Sequence, residues 1–453
     1  MKFKKTFLLG LTLVSLVACQ NADISSYSRL ATPKLEKISN TNYIDLSSKT
    51  YESYMAFARK FTSLMMKENN LKDEQSLGIS IPDAYICLAI VGITSIKEAC
   101  DDVLNYLELS NISELRVAVK EILKCFATLF KNSDGKLVGG FNLNSIWLNP
   151  EKVDLIKEKD EELYKDLEEV FGASIFMEAL TSEKANNYLK VEGLKDMPVP
   201  KIELEDDDPC ALNVMSVYYC LDYFEESVKR PYKSQYDSGK HKMDYFLNES
   251  SQKVDYIESH KQGIVYENDK FYGSSLGINF LNMAFFLPND KNAMPSSIMD
   301  DVLNENFTLK EGLLKDYEGN MQPTDIFDVD ISAPYFSLEN KCELDRGALN
   351  EIMPFITNQG ASERLVKAKN GTLFLDYIKQ FSVMKFNYDG FYSCSATIAG
   401  ERATSTGMEY EKFKLTLDHP YVFEVRKQVK IDNHVFKNAP LIIGEIVNPV
   451  YKD

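Results

Sequence analysis

Histidine and tryptophan are scarce in this chain of 453 residues, which has four of the first and one of the second. No H-E-x-x-H, P-loop, G-x-G-x-x-G or G-x-S-x-G segment occurs, so the usual signatures of metalloproteases, nucleotide-binding proteins and α/β-hydrolases are missing. The acidic run 203–208 lacks the spacing and the turn glycine of an EF-hand, and we expect a solvated loop there. The sequence therefore predicts neither an enzyme nor a cofactor or metal site. The histidines are His241, His260, His419 and His434.

Paired cysteine motifs are also absent, although the chain has eight cysteines. No C-x-x-C pair occurs, and an odd number remains once Cys19 is set aside, so the remaining thiols cannot all pair within one chain. Most lie among apolar residues, which favours small buried side chains; one or two disulfides remain open. The remaining cysteines are Cys87, Cys100, Cys125, Cys210, Cys220, Cys342 and Cys394.

Long apolar runs are confined to the N-terminus, where the basic residues Lys2, Lys4 and Lys5 precede an apolar run over 7–17. The run is too short to span a membrane and has the form of a secretory signal. It ends in L-V-A-C, which resembles the bacterial lipobox. We predict a signal peptide over 1–18 and lipidation of Cys19, with the chain exported and anchored to the bacterial membrane or cell surface by lipid alone. The alternative is an ordinary cleaved signal that happens to end at a cysteine.

Positive charge is under-represented. The chain has 51 basic and 68 acidic residues, a net charge of −17, and removal of the three N-terminal lysines leaves 48 against 68, or −20. Such a surface repels phosphate backbones and anionic lipid head groups, so nucleic acid is excluded as a partner.

Hydrophobic periodicity divides the rest of the chain into a helical first part and a strand-rich second part. We predict a flexible tether over 19–45 and one large α+β domain over 46–453. The predicted helices are 51–67, one opening at Pro82, 113–130 with Ser113 as its cap, and 155–171. The predicted strands are 214–219, 278–287, 327–331, 422–425 and 441–447. Trp147 is expected in the core.

The last third of the chain carries three linked motifs. Residues 380–390 read Q-F-S-V-M-K-F-N-Y-D-G and are followed by the small residues of 393–397. Further on come D-H-P-Y-V-F at 418–423 and G-E-I-V-N-P at 444–449. This succession resembles the serpin family, whose signature is a strand ending in N-x-x-G, a small-residue hinge, an exposed reactive loop, D-H-P-F-x-F and a closing G-x-V-x-N-P. Fainter matches at 214–224, 282–288 and 329–336 extend the resemblance over nearly everything after residue 46.

The resemblance implies a monomeric inhibitor of serine or cysteine endopeptidases that acts as a single-use substrate. In this family the exposed loop is cut by the protease and then inserts into a β-sheet as a new strand. The loop would span about 390–413, and Gln380 and Asn387 match positions lining the sheet that it enters. The hinge would be Gly390, Phe391, Tyr392, Ser393, Cys394, Ser395, Ala396 and Thr397.

The family's usual spacing places the scissile bond at Thr404–Ser405. Arg402–Ala403 is the next candidate and would suit trypsin-like enzymes, whose acidic pocket binds arginine. Met408–Glu409 is the third.

Several positions depart from the inhibitory pattern. The aromatic Phe391 and Tyr392 stand where inhibitory members carry small or β-branched residues, and overpacking a sheet costs about 1–3 kcal/mol for each such side chain. Tyr388 replaces a glutamate, and S-I-P-D at 80–83 is a poor match to the family's S-P-x-S. These departures define the alternative: a non-inhibitory member that serves as a carrier, binding or decoy protein.

Overall fold

The described residues form two large β-sheets, two small ones and eight α-helices. The structure is a computed structural model, and it describes residues 24–33, 45–69, 75–131, 137–158, 160–194, 197, 199–205, 210–223, 242–247, 250–277, 281–316, 318–387, 390–393, 409–432 and 434–451. The helices are α1 Ser48–Asn69, α2 Pro82–Thr94, α3 Lys97–Tyr106, α4 Ile112–Phe126, α5 Glu161–Lys165, α6 Ser182–Glu192, α7 Ser296–Leu303 and α8 Arg346–Ile352.

The strands become frequent after residue 200, as the sequence indicates. They are β1 Arg29–Ala31, β2 Asp45–Leu46, β3 Leu77–Ser80, β4 Leu129–Lys131, β5 Leu137–Leu148, β6 Val153–Leu155, β7 Ala173–Phe176, β8 Leu212–Tyr223, β9 Lys242–Leu247, β10 Ser250–Glu267, β11 Phe271–Gly277, β12 Asn282–Pro288, β13 Thr308–Leu309, β14 Gly312–Lys315, β15 Met321–Thr324, β16 Ile326–Pro334, β17 Phe336–Leu344, β18 Val366–Ala368, β19 Ile378–Asn387, β20 Gly390–Ser393, β21 Glu409–Tyr410, β22 Lys412–Thr416, β23 Tyr421–Ile431 and β24 Val435–Ile446.

The main sheet has the strand order β1-β7-β5-β8-β20-β19-β17, with β4 paired to β5. The second sheet runs β22-β16-β10-β11-β12-β23-β24-β3. Aromatic side chains lie between the two sheets: the ring centroid of Phe336 in β17 is 5.3 Å from that of Phe423 in the second sheet and 5.6 Å from that of Phe386 in its own sheet. Such contacts between sheet faces form the core of an α+β domain, as the sequence predicts.

Helix α2 lies beneath the main sheet. Eleven of its thirteen residues are buried, so it is apolar on every side, as a helix enclosed in a core must be. Its Cys87 thiol donates to the carbonyl of Val214 in β8 over 3.7 Å. The helix therefore forms the floor under the middle of the main sheet, and Pro82 begins it as predicted.

Helix α4 confirms the predicted stripe, because Leu115, Val119 and Ile122 are all buried. The predicted cap at Ser113 is wrong. The cap is Asn111, whose side chain accepts from the N–H of Glu114, while the Glu114 carboxylate accepts from the N–H of Ser110. This reciprocal arrangement satisfies two helix-end donors, which Ser113, already inside the helix, cannot do.

The helix predicted over 155–171 is interrupted. Residues 153–155 are strand β6, which pairs with β18, so no helix can begin there. Asp160 instead starts the short helix α5 by accepting from the N–H of Leu163, and a π-helical turn, Asp166–Val170, follows. Strand pairing with a distant segment overrides the local amphipathic pattern.

An N-terminal strand lies inside the segment predicted to be a tether. Strand β1 pairs with the edge strand β7, and the Arg29 guanidinium donates to Ser174 at 2.7 Å and to Glu192 of α6 at 3.1 Å. The ring of Tyr27 packs edge-on against Trp147, with centroids 5.7 Å apart. The tether prediction did not include this strand, because its few residues have no period of their own and are held by the sheet edge that they cover.

The core predictions for tryptophan and cysteine are confirmed where the structure describes them. Trp147 is fully buried, and all six described cysteines are free thiols. Cys19 and Cys394 lie outside the described residues. Within the described part of the chain, no helix combines the length and apolarity needed to cross a membrane.

Candidate functional site

Strand β20 contains the first residues of the predicted hinge and lies at one end of the candidate site. It lies between β8 and β19 and pairs antiparallel with both: Phe391 is opposite Phe386 on one side and Asp222 on the other. Gly390 begins it at φ +147°, where a Cβ would lie 2.2 Å from the carbonyl oxygen of Asp222. Only glycine fits this close approach.

A cavity opens where β20 ends. The edge of β8 from Leu212 to Val217 and the edge of β19 from Ile378 to Val383 face each other across it, with no described strand between them. Its volume is about 930 Å³. The two strands are thus held apart at one end by β20 and remain separated below it. We call this cavity the slot.

The inner side of the slot is crossed by a polar network that ties β19 to the start of α2. The Gln380 side chain donates to the carbonyl of Ser80 at 2.7 Å and accepts from its N–H at 2.9 Å. The Ser80 hydroxyl donates to the carboxylate of Asp83, and the amide of Gln380 lies 3.5 Å from the other carboxylate oxygen. These three side chains fix the start of α2, which lies under the slot, relative to β19, which forms one side of it.

Burial raises the pKa of Asp83 to about 7, against an ordinary value of 3.8. The carboxyl group faces the slot but is shielded from bulk water, which disfavours its charged form. Hydrogen bonds from Ser80 and Gln380 oppose this effect without cancelling it. The site therefore contains a carboxyl group that changes charge near neutral pH.

The raised pKa predicts a pH-dependent stability. Between about pH 4 and pH 7 the unfolded chain has released the Asp83 proton while the folded chain retains it, so the free energy of unfolding falls as pH rises. The total is at most roughly 4 kcal/mol, at about 1.4 kcal/mol per unit of pKa. We expect Asp83→Asn to match wild type at pH 4 and to exceed it in stability at pH 8. Urea unfolding at both values measures this, with exposed Asp269→Asn as control; a difference that does not grow with pH contradicts it.

The outer side of the slot is covered by one crossing segment, residues 199–205. Ile202 and Leu204 line the slot from this side. Asn186 of α6 makes two hydrogen bonds to the Ile202 backbone, of 2.8 and 3.0 Å, and the hydroxyl of Ser182 accepts from the N–H of Leu204 at 2.9 Å. The cover is thus fastened to α6 by side chains and does not belong to the sheet.

The far end of the slot is closed by polar contacts. The Tyr377 hydroxyl donates to Asn213 at 3.2 Å and lies 3.3 Å from the Cys210 thiol, so it joins the starts of β19 and β8. The ammonium of Lys379 lies 3.3 Å from Glu343 and 4.2 Å from the Tyr377 ring centroid. The slot is therefore bounded at both ends.

The predicted site residues fall into three groups. Gln380 and Asn387 both lie in β19 of the main sheet, and Gln380 lines the slot. Asn387, the last residue of β19, pairs with Gly390 at the hinge turn and donates to the Tyr451 hydroxyl at 2.6 Å. Strands β20 and β21 occupy both described ends of the predicted loop. The other predicted site residues lie outside the described residues: Cys394 to Thr397, Arg402, Ala403, Thr404 and Ser405.

Strand β21 bears on the third scissile candidate. Glu409 is paired in β21 opposite Lys315, and their side chains form a 3.2 Å ion pair. A protease binding Met408–Glu409 would have to break this pairing, which disfavours that bond.

Sequence reasoning missed the role of Asp83. The S-I-P-D segment reads as a poor family match, yet in the structure its aspartate lines the slot and has a pKa raised to about 7. An acidic residue just inside the start of an otherwise apolar helix was the available signal. Lys379 and Tyr377 gave no signal, because their partners Glu343, Cys210 and Asn213 are remote in sequence.

Two of the described histidines are paired with aspartates: His260 with Asp330 at 2.5 Å and His419 with Asp418. His419 is buried, with one ring nitrogen 2.7 Å from Asp418 and the other 2.9 Å from the carbonyl of Pro288. Both nitrogens are therefore engaged in structural contacts. In the part of the chain that the structure describes, no cluster of three metal-ligating side chains occurs.

Comparison with known proteins identifies this architecture. The family model "Serpin (serine protease inhibitor)" matches residues 222–449. The thermophilic serpin tengpin in its native state is 16% identical and covers 93% of this chain and 99% of its own, with a TM-score of 0.61. No curated protein sequence matches the chain.

Two further structures agree in fold. Arabidopsis AtSerpin1 in its native stressed conformation is 16% identical and covers 89% of this chain and 99% of its own, with a TM-score of 0.61. Serpin48 of the insect Tenebrio molitor is 15% identical and covers 88% and 97%, with a TM-score of 0.59. At these identities the likeness shows the fold.

Proposed function

Because the chain belongs to the serpin family, we propose that it inhibits serine or cysteine endopeptidases as a suicide substrate, by inserting its cut loop into the slot. The observation that carries this proposal is the slot itself, a gap between β8 and β19 that β20 has begun to fill from the hinge end. A strand added there would satisfy backbone donors and acceptors on both edges at once, which is a large driving force.

The register of β20 gives the position of each residue in such a strand. Tyr392 is level with Lys385 and Leu221, so continuing the ladder brings Thr397 level with Gln380 and Ser216. Gln380 points inward, to Ser80. Since side chains alternate along a strand, Ser395 and Thr397 would also face inward, where their small size fits the floor over α2.

The chemistry of the trap needs only the loop and the protease. The protease nucleophile attacks the carbonyl carbon of Thr404, its proton passes to the protease's base, and the bond to the nitrogen of Ser405 breaks to release a new amino terminus. The acyl bond then joins Thr404 to the enzyme. Insertion of the residues that precede Thr404 would carry the acylated protease along the sheet and distort it before water can release it.

The proposal includes the place where this happens. With Cys19 lipidated, the inhibitor would be held at the bacterial membrane or cell surface by its lipid alone. Strand β1 begins ten residues after Cys19 and pairs with Phe176, at the level of Asn213 in β8. Strand β20 pairs with the opposite end of β8. The lipid anchor would therefore attach near the end of the main sheet that is farthest from the hinge, and the reactive loop would face away from the membrane.

The test is direct. The full chain is mixed with trypsin, elastase, subtilisin and papain, and the products are separated on denaturing gels. We expect at least one enzyme to give a covalent band near the summed mass, and no band when its nucleophile has been blocked beforehand. Mass spectrometry of the released C-terminal fragment identifies the bond, with Thr404–Ser405 expected. If every enzyme that cuts the loop does so without forming a covalent band, the proposed trapping mechanism is refuted.

The alternative function is a carrier, binding or decoy protein of the same fold. The aromatic residues at 391 and 392 define this alternative in the sequence, and in the structure the side chain of Phe391 is fully buried at the first hinge position. Under this alternative the loop is cut without a covalent product, and cleavage leaves the thermal stability unchanged.

A further inference from the structure

A small three-stranded sheet lies where the chain returns from the loop. Its order is β15-β14-β21, so the hairpin 312–324 pairs directly with Glu409–Tyr410. Leu314 is opposite Tyr410, and the N–H of Glu411 donates to the carbonyl of Leu313 at 3.0 Å. The hairpin is thus fixed to the C-terminal base of the loop by backbone hydrogen bonds.

One face of this hairpin is apolar and open. Leu313 is 45% exposed and Met321 is 56% exposed. Leu313 pairs with Pro323, and Met321 pairs with Lys315, two residues further along β14, so the period of a strand places all four on one face. The opposite face packs inward, because a Cβ on Gly312 would meet the ring of Phe327 at 2.6 Å.

Exposed apolar side chains are concentrated around this hairpin. Of fourteen large hydrophobic residues exposed in the described part of the chain, four fall between residues 309 and 326. A single exposed leucine needs no explanation, but a cluster of this kind marks a contact surface. Those four are Leu309, Leu313, Met321 and Ile326.

The short segment between the proposed scissile bond and β21 limits which partner can contact this face. Three residues, 406–408, lie between Ser405 and Glu409, so the Cα atoms of these two residues are at most about 14 Å apart. A protease of about 230 residues has a radius of about 22 Å. An enzyme bound at Thr404–Ser405 therefore reaches over the hairpin, and the apolar face continues the surface that the loop offers.

We propose that the outer face of the hairpin, formed by Leu313, Met321 and Pro323, is a second contact surface for the protease held at the reactive loop. This inference rests on the proposed function and adds to it the chemical character of the protease surface that contacts the hairpin. Lys315 lies on the same face, and its ammonium group forms an ion pair with Glu409. The matching protease surface, beside the subsites that bind residues after the cut, is therefore apolar.

The test compares loop cleavage rates in the full chain. The probe is whichever of trypsin, elastase, subtilisin and papain cuts the wild-type loop fastest, and a synthetic peptide of residues 394–411 gives the rate without the hairpin. We expect the chain to be cut faster than the peptide, and Leu313→Ser/Met321→Ser to reduce the second-order rate constant about fivefold or more. Val117→Ser/Val435→Ser, on other exposed surfaces, should change it less than twofold.

Two results overturn the proposal: equal rate constants for the Leu313/Met321 variant and wild type, or a chain that is cut no faster than the peptide. Cleavage is scored whether or not a covalent complex forms. A chain that is cut but not trapped would therefore refute the inhibitory function while the rate comparison still decides the second surface. Since Leu313 and Met321 are exposed, the double variant should unfold at the wild-type temperature. Thermal unfolding is measured by the fluorescence of the buried Trp147.

Discussion

Replacing Thr397 with glutamate is expected to turn the chain from a trap into a substrate. If the ladder of β20 continued, position 397 would face inward between Gln380 and Ser216, on the side of the Ser80–Asp83 pair. A carboxylate there would be taken out of water and would lie on the same side of the sheet as Asp83. Such a charge costs several kcal/mol, enough to stop the strand half-way.

The measurement is the fraction of protease trapped per loop cut. We expect the Thr397→Glu variant to be cut at about the wild-type rate, because the bond at Thr404–Ser405 is seven residues away. The covalent band should fall at least tenfold. Thr406→Glu is the matched control, since it adds the same charge beyond the cut, on the segment that does not insert. If Thr397→Glu traps as well as this control, insertion does not pass position 397.

Removing the Phe391 ring is expected to cause the largest loss of stability among single changes at the hinge. The side chain is fully buried, and its backbone pairs with Phe386 and Asp222 on the two neighbouring strands. Truncation of a buried phenylalanine to alanine costs about 3–5 kcal/mol, because contacts are lost and a cavity remains. We therefore expect Phe391→Ala to lower the free energy of unfolding by about that amount.

Trp147 provides the readout, as it is the only tryptophan and is buried in the main sheet. Urea titrations followed by its fluorescence should show a clearly lower midpoint for Phe391→Ala. The control is Phe246→Ala, whose ring is 37% exposed and should cost much less. Equal midpoints for the two variants would mean that the hinge leaves the sheet readily and that Phe391 does not anchor it.

The buried Phe391 also changes how the hinge sequence is understood. From the sequence alone, this aromatic residue counts against insertion, since a closed sheet must be overpacked to admit it. In the structure β20 already lies between β8 and β19 at that level, and the ring of Phe391 is buried in the core of the uncut chain. Any barrier to further insertion lies deeper in the slot, at the Gln380 network and under the 199–205 cover.

Local patterns predicted the elements that depend mainly on their own residues. The stripe of α4 and the alternation of Phe327, Val329 and Ile331 in β16 are confirmed, because burying one face of an element requires that period wherever the element packs. The closing motifs placed the chain in its family and hence gave the fold. Gln380 lies in β19 and lines the slot, while its part in loop insertion stays a prediction.

What the sequence alone determined is the helical first part, the strand-rich second part, the buried Trp147 and the family. Only the tertiary structure decided that Arg29–Ala31 is an edge strand, that 155–171 is broken by β6, and that Asp83 faces the slot. In each case the deciding partner is far along the chain: β7 for β1, β18 for β6 and Gln380 for Asp83. Hydrogen bonds and desolvation act between neighbours in space, and a local pattern contains no record of them.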